Sequence, residues 1–159
     1  MANTESLIEA ALKMGFSAAA VMETKELTIV PEYRKYCEQN LCGRYDVLSV
    51  CPPKCGTVED MVRKLKKYRY AFILQTTVFP SEAEQRKGQP QHNEMAEKLM
   101  EHLSEYGIGE YLFLSAGPWK EWSCMSAYCI DAQKMADHVG MLCWANDGLY
   151  RFFSLILYN

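Results

Sequence analysis

Four of the seven cysteines of this chain lie close together in one short segment, residues 37–55. Thiolates are soft ligands that bind zinc, copper(I) and iron–sulfur clusters, and a loop rich in glycine and proline can direct several of them to one point. We therefore interpret this segment as a metal or iron–sulfur site. Its candidate ligands are Cys37, Cys42, Cys51 and Cys55.

A second pair of cysteines, Cys124 and Cys129, follows after a long interval and has the same spacing as Cys37 and Cys42. Zinc ribbons use two Cys-x2-Cys pairs, which this chain lacks. Plant-type ferredoxins begin with Cys-x4-Cys, but the Cys-x2-Cys step that follows there is missing here. All candidate ligands are thiols, and Cys51 precedes a proline, as the last cysteine of bacterial cluster motifs does. The pattern therefore favours an iron–sulfur cluster over zinc.

The residues around the first cysteines are of types that would support such a site. Glycines and prolines shape tight turns whose backbone amides can donate to sulfur, and cationic side chains would offset residual negative charge. Tyr45 would shield the site from water. The cationic candidates are Arg44, Lys54 and Lys120.

Other interpretations of these residues stay open. A reduced cysteine is often simply a small buried hydrophobic residue, and this applies above all to Cys143, which stands alone in an apolar stretch. The three histidines have no partners at ligand spacing and are interpreted as surface or hydrogen-bonded side chains. Trp119 and Trp122 either belong to the core or line, with Tyr45, a pocket for a ligand.

The elements that must position these residues alternate along the chain. In the first half, apolar periodicity and capping residues predict a helix over 4–14, a strand over 16–22, a helix that begins after Thr57 and a strand over 70–79. The first cysteine segment lies between the first strand and the second helix.

The second half repeats this order of elements. The sequence predicts a helix over 93–106, a strand over 110–115, the second cysteine segment, and a helix capped by Asp131. Strands over 141–144 and 149–158 follow, joined by a hairpin turn. If the strands that precede the two cysteine segments are parallel neighbours, the segments converge at one edge of the sheet.

This alternation predicts a single domain, residues 1–159, of the α/β or α+β class with a mixed sheet. The two cysteine-bearing segments are its irregular parts. Two halves, about 1–79 and 91–159, are joined by a polar, turn-rich segment, 80–90, which we interpret as a linker.

Composition narrows the classes of function. The chain has 159 residues, a formal net charge of −3 and 49% apolar residues, so an ordinary core can form without a metal, and a nucleic-acid partner is not expected. No basic leader begins the sequence, and no apolar run approaches the ~20 residues that span a bilayer. We expect a cytoplasmic protein without a membrane partner. The basic run at 63–67 is interpreted as a solvated helix face.

No phosphate-binding glycine loop, nucleophile elbow or HExxH helix occurs, so we assign no catalytic residue. Whether the protein is an enzyme stays open at this stage.

Several short motifs resemble an uncharacterised family of bacterial and archaeal cysteine-rich proteins, which are predicted to bind metal. The resemblance is carried by Tyr36-Cys37, by Cys42-Gly43-Arg44-Tyr45 and above all by Cys51-Pro52-Pro53 with the Gly-Thr-Val-Glu that follows. It resumes at Ser115-Ala116-Gly117-Pro118 and again at Cys129 with the 135–141 helix.

The chain departs from this family at two positions. The relatives usually place one cysteine after Ala-Gly-Pro and another three residues later, whereas this chain has Trp119 and Trp122 there. The resemblance therefore implies a metal site from which two ligands are gone. Six cysteines remain to hold it: Cys37, Cys42, Cys51, Cys55, Cys124 and Cys129.

Three hypotheses follow. In the first, the protein binds a metal or iron–sulfur cluster and serves in electron transfer or cofactor handling for a partner enzyme. In the second, it is a metal-free thiol-redox protein that uses Cys51 and Cys55, with Lys54 stabilising a thiolate. In the third, it binds a small molecule or a partner at Trp119 and Trp122 and has lost its metal.

Overall fold

A four-stranded sheet forms the centre of the computed structural model, which describes residues 3–40 and 43–159, with only the backbone of 82–86. Its spatial order is β1-β2-β4-β3, and each neighbouring pair is antiparallel. Cys42 lies outside the described residues. The strands are β1 (Ala18–Glu23), β2 (Tyr70–Val78), β3 (Tyr111–Leu114) and β4 (Tyr150–Tyr158).

The described residues form five α-helices and several short 3₁₀ helices around this sheet. None of these helices is both long and apolar enough to cross a membrane. The α-helices are α1 (Thr4–Met14), α2 (Arg34–Glu38), α3 (Val58–Lys66), α4 (Glu82–Met100) and α5 (Ala132–Val139). The 3₁₀ helices are Thr24–Glu26, Pro31–Tyr33, Leu103–Tyr106 and Met125–Tyr128.

Both faces of the sheet are covered, as the alternation of side chains along the central strands shows. On β2, Ala71 and Ile73 pack with α3, α5 and the 3₁₀ helix Met125–Tyr128, whereas Phe72 and Leu74 pack with α1 and α4. This is the period of two that a strand imposes on its side chains. Residues of both cysteine segments pack on the α3–α5 face, so this face positions the candidate site.

The α+β alternative of the predicted fold class is confirmed, but the sheet is not mixed, because every described strand pair is antiparallel. The strands that precede the two cysteine segments, β1 and β3, lie at opposite edges and run in opposite directions. The parallel-neighbour arrangement considered from the sequence is therefore not formed. Strand order is decided by contacts between distant residues, which local patterns do not report.

The segment 80–90, which the sequence predicts as a linker, is helical from Glu82 onward. Gly88 explains part of this difference. It is buried, and a Cβ atom at this position would lie 2.7 Å from the Phe152 ring, so the glycine lets α4 approach β4 closely. The predicted strand over 141–144 is also wrong. Leu142 and Trp144 are exposed, and no strand forms there.

The Ser115–Pro118 motif is held in place by Asn93 of α4, which is completely buried. Its Nδ2 donates to the carbonyl of Ala116 at 2.9 Å, and its Oδ1 accepts from the amide of Ala116 at 2.9 Å. The two bonds satisfy the backbone N–H and C=O groups of Ala116, which lies just beyond the end of β3.

Asn93→Asp is expected to lower the free energy of unfolding by about 2–4 kcal/mol at pH 7, because the carboxylate keeps one bond but faces the Ala116 carbonyl without a donor. Urea denaturation measures this loss. The matched change Asn146→Asp, at an exposed position, is expected to shift stability by less than about 0.5 kcal/mol. Equal stability of the two variants would show that the Asn93 bonds do not secure this motif.

Candidate metal centre

The two cysteine segments meet on the α3–α5 face although the strands before them are far apart in the sheet. The amide of Val30 donates to the carbonyl of Cys129 at 2.8 Å, and the amide of Asp131 donates to the carbonyl of Thr28 at 2.9 Å. Further along, the Ser123 hydroxyl donates to the carbonyl of Val50 at 2.8 Å. Backbone bonds from residues 28–30, which precede the first segment, and one side-chain bond to Val50 thus join this part of the chain to the second segment.

Arg34, on the short helix α2, ties the two segments together more directly. Its Nη1 donates to the carbonyl of Gly56 at 2.7 Å and its Nη2 donates to the carbonyl of Ala127 at 2.7 Å. One acceptor directly follows Cys55, and the other lies two residues before Cys129. The Nε atom is buried and has no partner among the described residues. Arg34 is therefore a cation placed between the two groups of cysteines.

Arg34 was not expected from the sequence, in which Arg44, Lys54 and Lys120 are the cationic candidates. Lys120 pairs with Glu97 at 2.9 Å, and the Lys54 ammonium lies 3.5 Å from the carbonyl of Val47. Arg34 stands in no recognisable motif. The only signal in its favour is its position just after Pro31, which begins the helical segment that carries Cys37.

Thiols from both segments lie within electrostatic range of each other. Burial raises the pKa of the Cys55 thiol, the charges of Arg34 and Lys64 lower this pKa, and a charge on Cys124 raises it. Burial also raises the pKa of Cys129, which Arg34 opposes. Cys55, Cys124 and Cys129 are free thiols. Cys124 thus lies within electrostatic range of Cys55, and the cation Arg34 lies near both Cys55 and Cys129.

The hydroxyl of Tyr128, near Cys55, is held in its neutral form. Burial, with smaller contributions from the neighbouring thiols, raises the pKa of Tyr128 to about 12, so its hydroxyl stays protonated. Tyr128 belongs to the second segment and to the core cluster against which Cys55 packs. A low-dielectric surrounding of this kind strengthens the interaction of thiolates with any cation that binds them.

The other candidate ligands lie at the borders of this region. Cys51 is 6% exposed, and its carbonyl accepts from the amide of Cys55 at 3.0 Å, so the two cysteines are one turn apart. Cys37 lies on α2 and lines a groove with Tyr33, Tyr36 and Trp144. Within residues 3–40 and 43–159, no three side chains of the His, Cys, Asp or Glu types form a metal-binding group.

The predicted pocket residues have different surroundings. The Trp119 indole donates to the Glu97 carboxylate, and the Trp122 ring meets the Phe113 ring edge-on with centroids 5.8 Å apart. Both tryptophans pack against the α1–α4 side of the core. Tyr45 is half-buried, and its amide donates to the Asn40 side chain at 2.9 Å. A ligand pocket at these three residues stays a prediction.

A cavity of about 380 Å³ lies next to Cys124. Cys143, which the sequence interprets as a core residue, lines it together with Cys124 and packs partly buried against the core. Aromatic side chains of β4 and Trp144 complete the wall. Small-molecule sites are typically of this size, and this one adjoins the candidate ligands.

The architecture defines an α+β protein in which two cysteine-bearing segments meet on one face of an antiparallel sheet. Residues 20–122 match DUF2284, a family described as predicted metal-binding proteins, and the chain belongs to this family. No curated protein and no solved structure matches the chain. The matched region contains the first cysteine segment and ends before Cys124, so the role of the second pair rests on the structure alone.

The donor chemistry of the meeting point fits the metal that the family implies. Free thiols are present in both segments, and Arg34 and Lys64 supply positive charge near Cys55. Soft thiolate donors of this type select zinc, copper(I) or iron–sulfur clusters over magnesium or calcium.

Proposed function

We propose that the protein holds a thiophilic metal ion or an iron–sulfur cluster between its two cysteine segments. Cys55 and Cys124 would be ligands from opposite segments. The observation that carries the proposal is the junction itself, in which Arg34 bridges the carbonyls of Gly56 and Ala127, so that one guanidinium joins the residue after Cys55 to the 3₁₀ helix between Cys124 and Cys129. The remaining candidates are Cys37, Cys42, Cys51 and Cys129.

The raised pKa of Cys55 supports a ligand role over a free reactive thiolate. Burial favours the neutral thiol at this position when no metal is present. A thiophilic metal would displace the proton and use the thiolate, so that binding becomes tighter as pH rises. A metal-free redox pair of Cys51 and Cys55 would instead need a thiolate that forms readily at neutral pH.

An iron–sulfur cluster is the form we favour, because every candidate ligand is a cysteine and Cys51 precedes a proline. When bound, such a cluster supplies one-electron transfer. The chain itself would supply the thiolates and hold the segments together through Arg34. The buried side chain of Tyr128 would keep water away from the cluster. A partner enzyme would then receive the electron or the cofactor.

Cys55→Ser and Cys124→Ser are each expected to reduce the metal content of the protein at least about tenfold, because changes even outside the ligand shell of a metal site reduce affinity 10–100-fold. Anaerobic purification, elemental analysis and a visible absorption spectrum measure this. Cys143→Ser is the matched control, because this thiol lines the same cavity as Cys124 but is not a proposed ligand. Its metal content is expected to equal that of the unmodified protein.

Two results would contradict the proposal. A colourless wild-type protein with less than about a tenth of an equivalent of iron, zinc or copper would show that the cysteines hold no metal. Rapid alkylation of Cys51 in folded protein, unchanged by a chelator, would favour the thiol-redox alternative. For a metal site, the cysteines are expected to be protected from alkylation, and a chelator is expected to abolish this protection.

A further inference from the structure

A cavity on the same face of the sheet, separate from the cysteines, has a wall of unusual composition. It measures about 310 Å³ and lies between the end of α3 and the stretch that follows β1. Its apolar lining comes from Leu27, Ile29, Val62 and Leu65. Three cations stand around this apolar floor, namely Lys25, Lys66 and Arg69.

Two of the three cations around the cavity, Lys66 and Arg69, have no ion pair among the described residues. Among the described residues, the one acid in its lining is Glu23, whose carboxylate lies 3.1 Å from the Lys25 ammonium. Lys66 therefore leaves the wall positive, although the whole chain carries a formal net charge of −3. Arg69 adds a second positive charge, and its guanidinium lies 5.2 Å from the centre of the Tyr70 ring. The helix dipole of α3 accounts for basic residues on its last turn in general. It does not account for their position around an apolar hollow.

We propose that this cavity binds a small amphipathic anion, namely a molecule with a compact apolar body and one carboxylate, sulfonate or phosphate group. The apolar body would contact Leu27, Ile29 and Val62, and the anionic group would lie near Lys66 and Arg69. The cavity volume is at the lower end of the range for small-molecule sites, which restricts the ligand to about the size of a two- or three-ring compound.

This site is distinct from the proposed metal centre, although α3 contributes to both. Lys64 acts electrostatically on Cys55, whereas Lys66 lines the anion cavity. The basic run at 63–67 is interpreted from the sequence as a solvated helix face. Lys66, one residue of this run, would instead contact a ligand. Loss of metal from the cysteines leaves this inference unchanged.

The test uses 8-anilinonaphthalene-1-sulfonate, with the uncharged N-phenyl-1-naphthylamine as a matched probe that lacks only the sulfonate. Fluorescence titration of the folded protein is expected to show one saturable site for the sulfonate and binding at least about fivefold weaker for the uncharged probe. Binding of the sulfonate is expected to weaken as salt rises, because ions screen charges at the mouth of a cavity.

Variants locate the site. Lys66→Glu is expected to weaken sulfonate binding by at least about fivefold, while Lys67→Glu, an equal charge change at the next residue outside the cavity lining, is expected to change it less than about twofold. Val62→Phe, which fills the hollow, is expected to weaken both probes. Near-UV circular dichroism confirms that each variant is folded.

Four outcomes would overturn the proposal. They are the absence of saturable binding, equal affinity for the two probes, equal weakening by Lys66→Glu and Lys67→Glu, and binding that Val62→Phe leaves unchanged. If both lysine variants equally weakened binding to phosphatidylglycerol vesicles, and the sulfonate did not bind in solution, the charges would serve a membrane surface and not an anion cavity.

Discussion

Arg34→Met is expected to lower the free energy of unfolding by about 3–6 kcal/mol and to remove most of any metal held at the proposed centre. The guanidinium donates to the carbonyls of Gly56 and Ala127, and bonds from a charged donor contribute about 1.5–3 kcal/mol each. Methionine preserves much of the length of the side chain but leaves both carbonyls without their donor. The two cysteine segments then lose the contact that fixes them to each other.

Arg34→Lys separates charge from geometry. Lysine keeps the positive charge near Cys55, but a single ammonium cannot repeat the forked arrangement that reaches two carbonyls in different segments. We expect an intermediate loss of stability of about 1.5–3 kcal/mol, the size of one such bond. If the charge alone mattered, the lysine variant would behave like the unmodified protein.

Lys35→Met is the control for this series, because Lys35 is the exposed neighbour of Arg34 on the same helix. Chemical denaturation of the metal-free proteins measures stability, and elemental analysis measures metal content. Arg34→Met with the stability and metal content of Lys35→Met would show that the guanidinium does not hold the segments together. A destabilised variant with full metal content would assign Arg34 a structural role alone.

The sequence predicts those elements whose signals are local. The helix over 4–14 has the bounds of α1, because Asn3 caps its start and Gly15, at φ 117°, ends it. The helix after Thr57 is confirmed as well, since Thr57 and Asp60 form a capping box there. In both cases the residues that fix the ends are neighbours in sequence, so the pattern is sufficient.

The predictions that proved wrong concern elements whose structure is decided by contacts between residues far apart in sequence. Gly88 and Pro90 lie inside α4 although both weaken helices, because packing against β4 outweighs the local preference. The strand predicted over 141–144 has apolar residues but no neighbouring strand to pair with, and its Leu142 carbonyl instead accepts a bond of 2.6 Å from the Gln75 side chain. Tertiary contacts of this kind leave no local signal.

At the candidate site, too, local motifs indicate some features, and contacts between distant residues decide the others. The cysteines and the family were recognisable from residue type and motif, because thiols grouped around Cys-Pro-Pro are uncommon. The junction of the segments was expected for a reason that the sheet topology contradicts. Arg34 was not found, since its importance depends on two carbonyls that lie 22 and 93 residues away along the chain.

His92 gives the second large expected effect, a loss of stability as the pH falls from about 6.5 towards about 3. The ring is completely buried in α4 and pins this helix to the two central strands. Its Nδ1 lies 2.8 Å from the Thr76 hydroxyl and its Nε2 lies 2.7 Å from the Ser154 hydroxyl. The neutral ring has one donor and one acceptor, and both can be satisfied by hydroxyls.

Burial lowers the pKa of His92 to about 3, from 6.5 in an unstructured chain. Between these two values the unfolded chain binds a proton that the folded protein does not bind, so acid favours unfolding in this range. Above about pH 6.5 both states are neutral and the histidine adds no pH dependence. The difference in pKa corresponds to about 4–5 kcal/mol when the titration is complete.

The measurement compares urea unfolding at pH 7 and pH 5, a range in which most carboxylates stay charged. We expect the unmodified protein to lose about 2 kcal/mol between these values through His92, at about 1.4 kcal/mol per pH unit. His92→Gln keeps a donor and an acceptor but cannot take up the proton. It is expected to be less stable at pH 7, since its shape differs, and to lose this part of the pH dependence.

His102→Gln provides the comparison for an exposed histidine, whose ring nitrogen lies 3.1 Å from the Glu105 carboxylate. This variant is expected to retain the full acid sensitivity of the unmodified protein. If His102→Gln, and not His92→Gln, abolished the loss of stability between pH 7 and pH 5, the buried ring would not be the acid-sensitive group. Since α4 also carries Asn93, which holds the Ser115–Pro118 motif, protonation of His92 would loosen both the packing of α4 on the sheet and the hold of this helix on that motif.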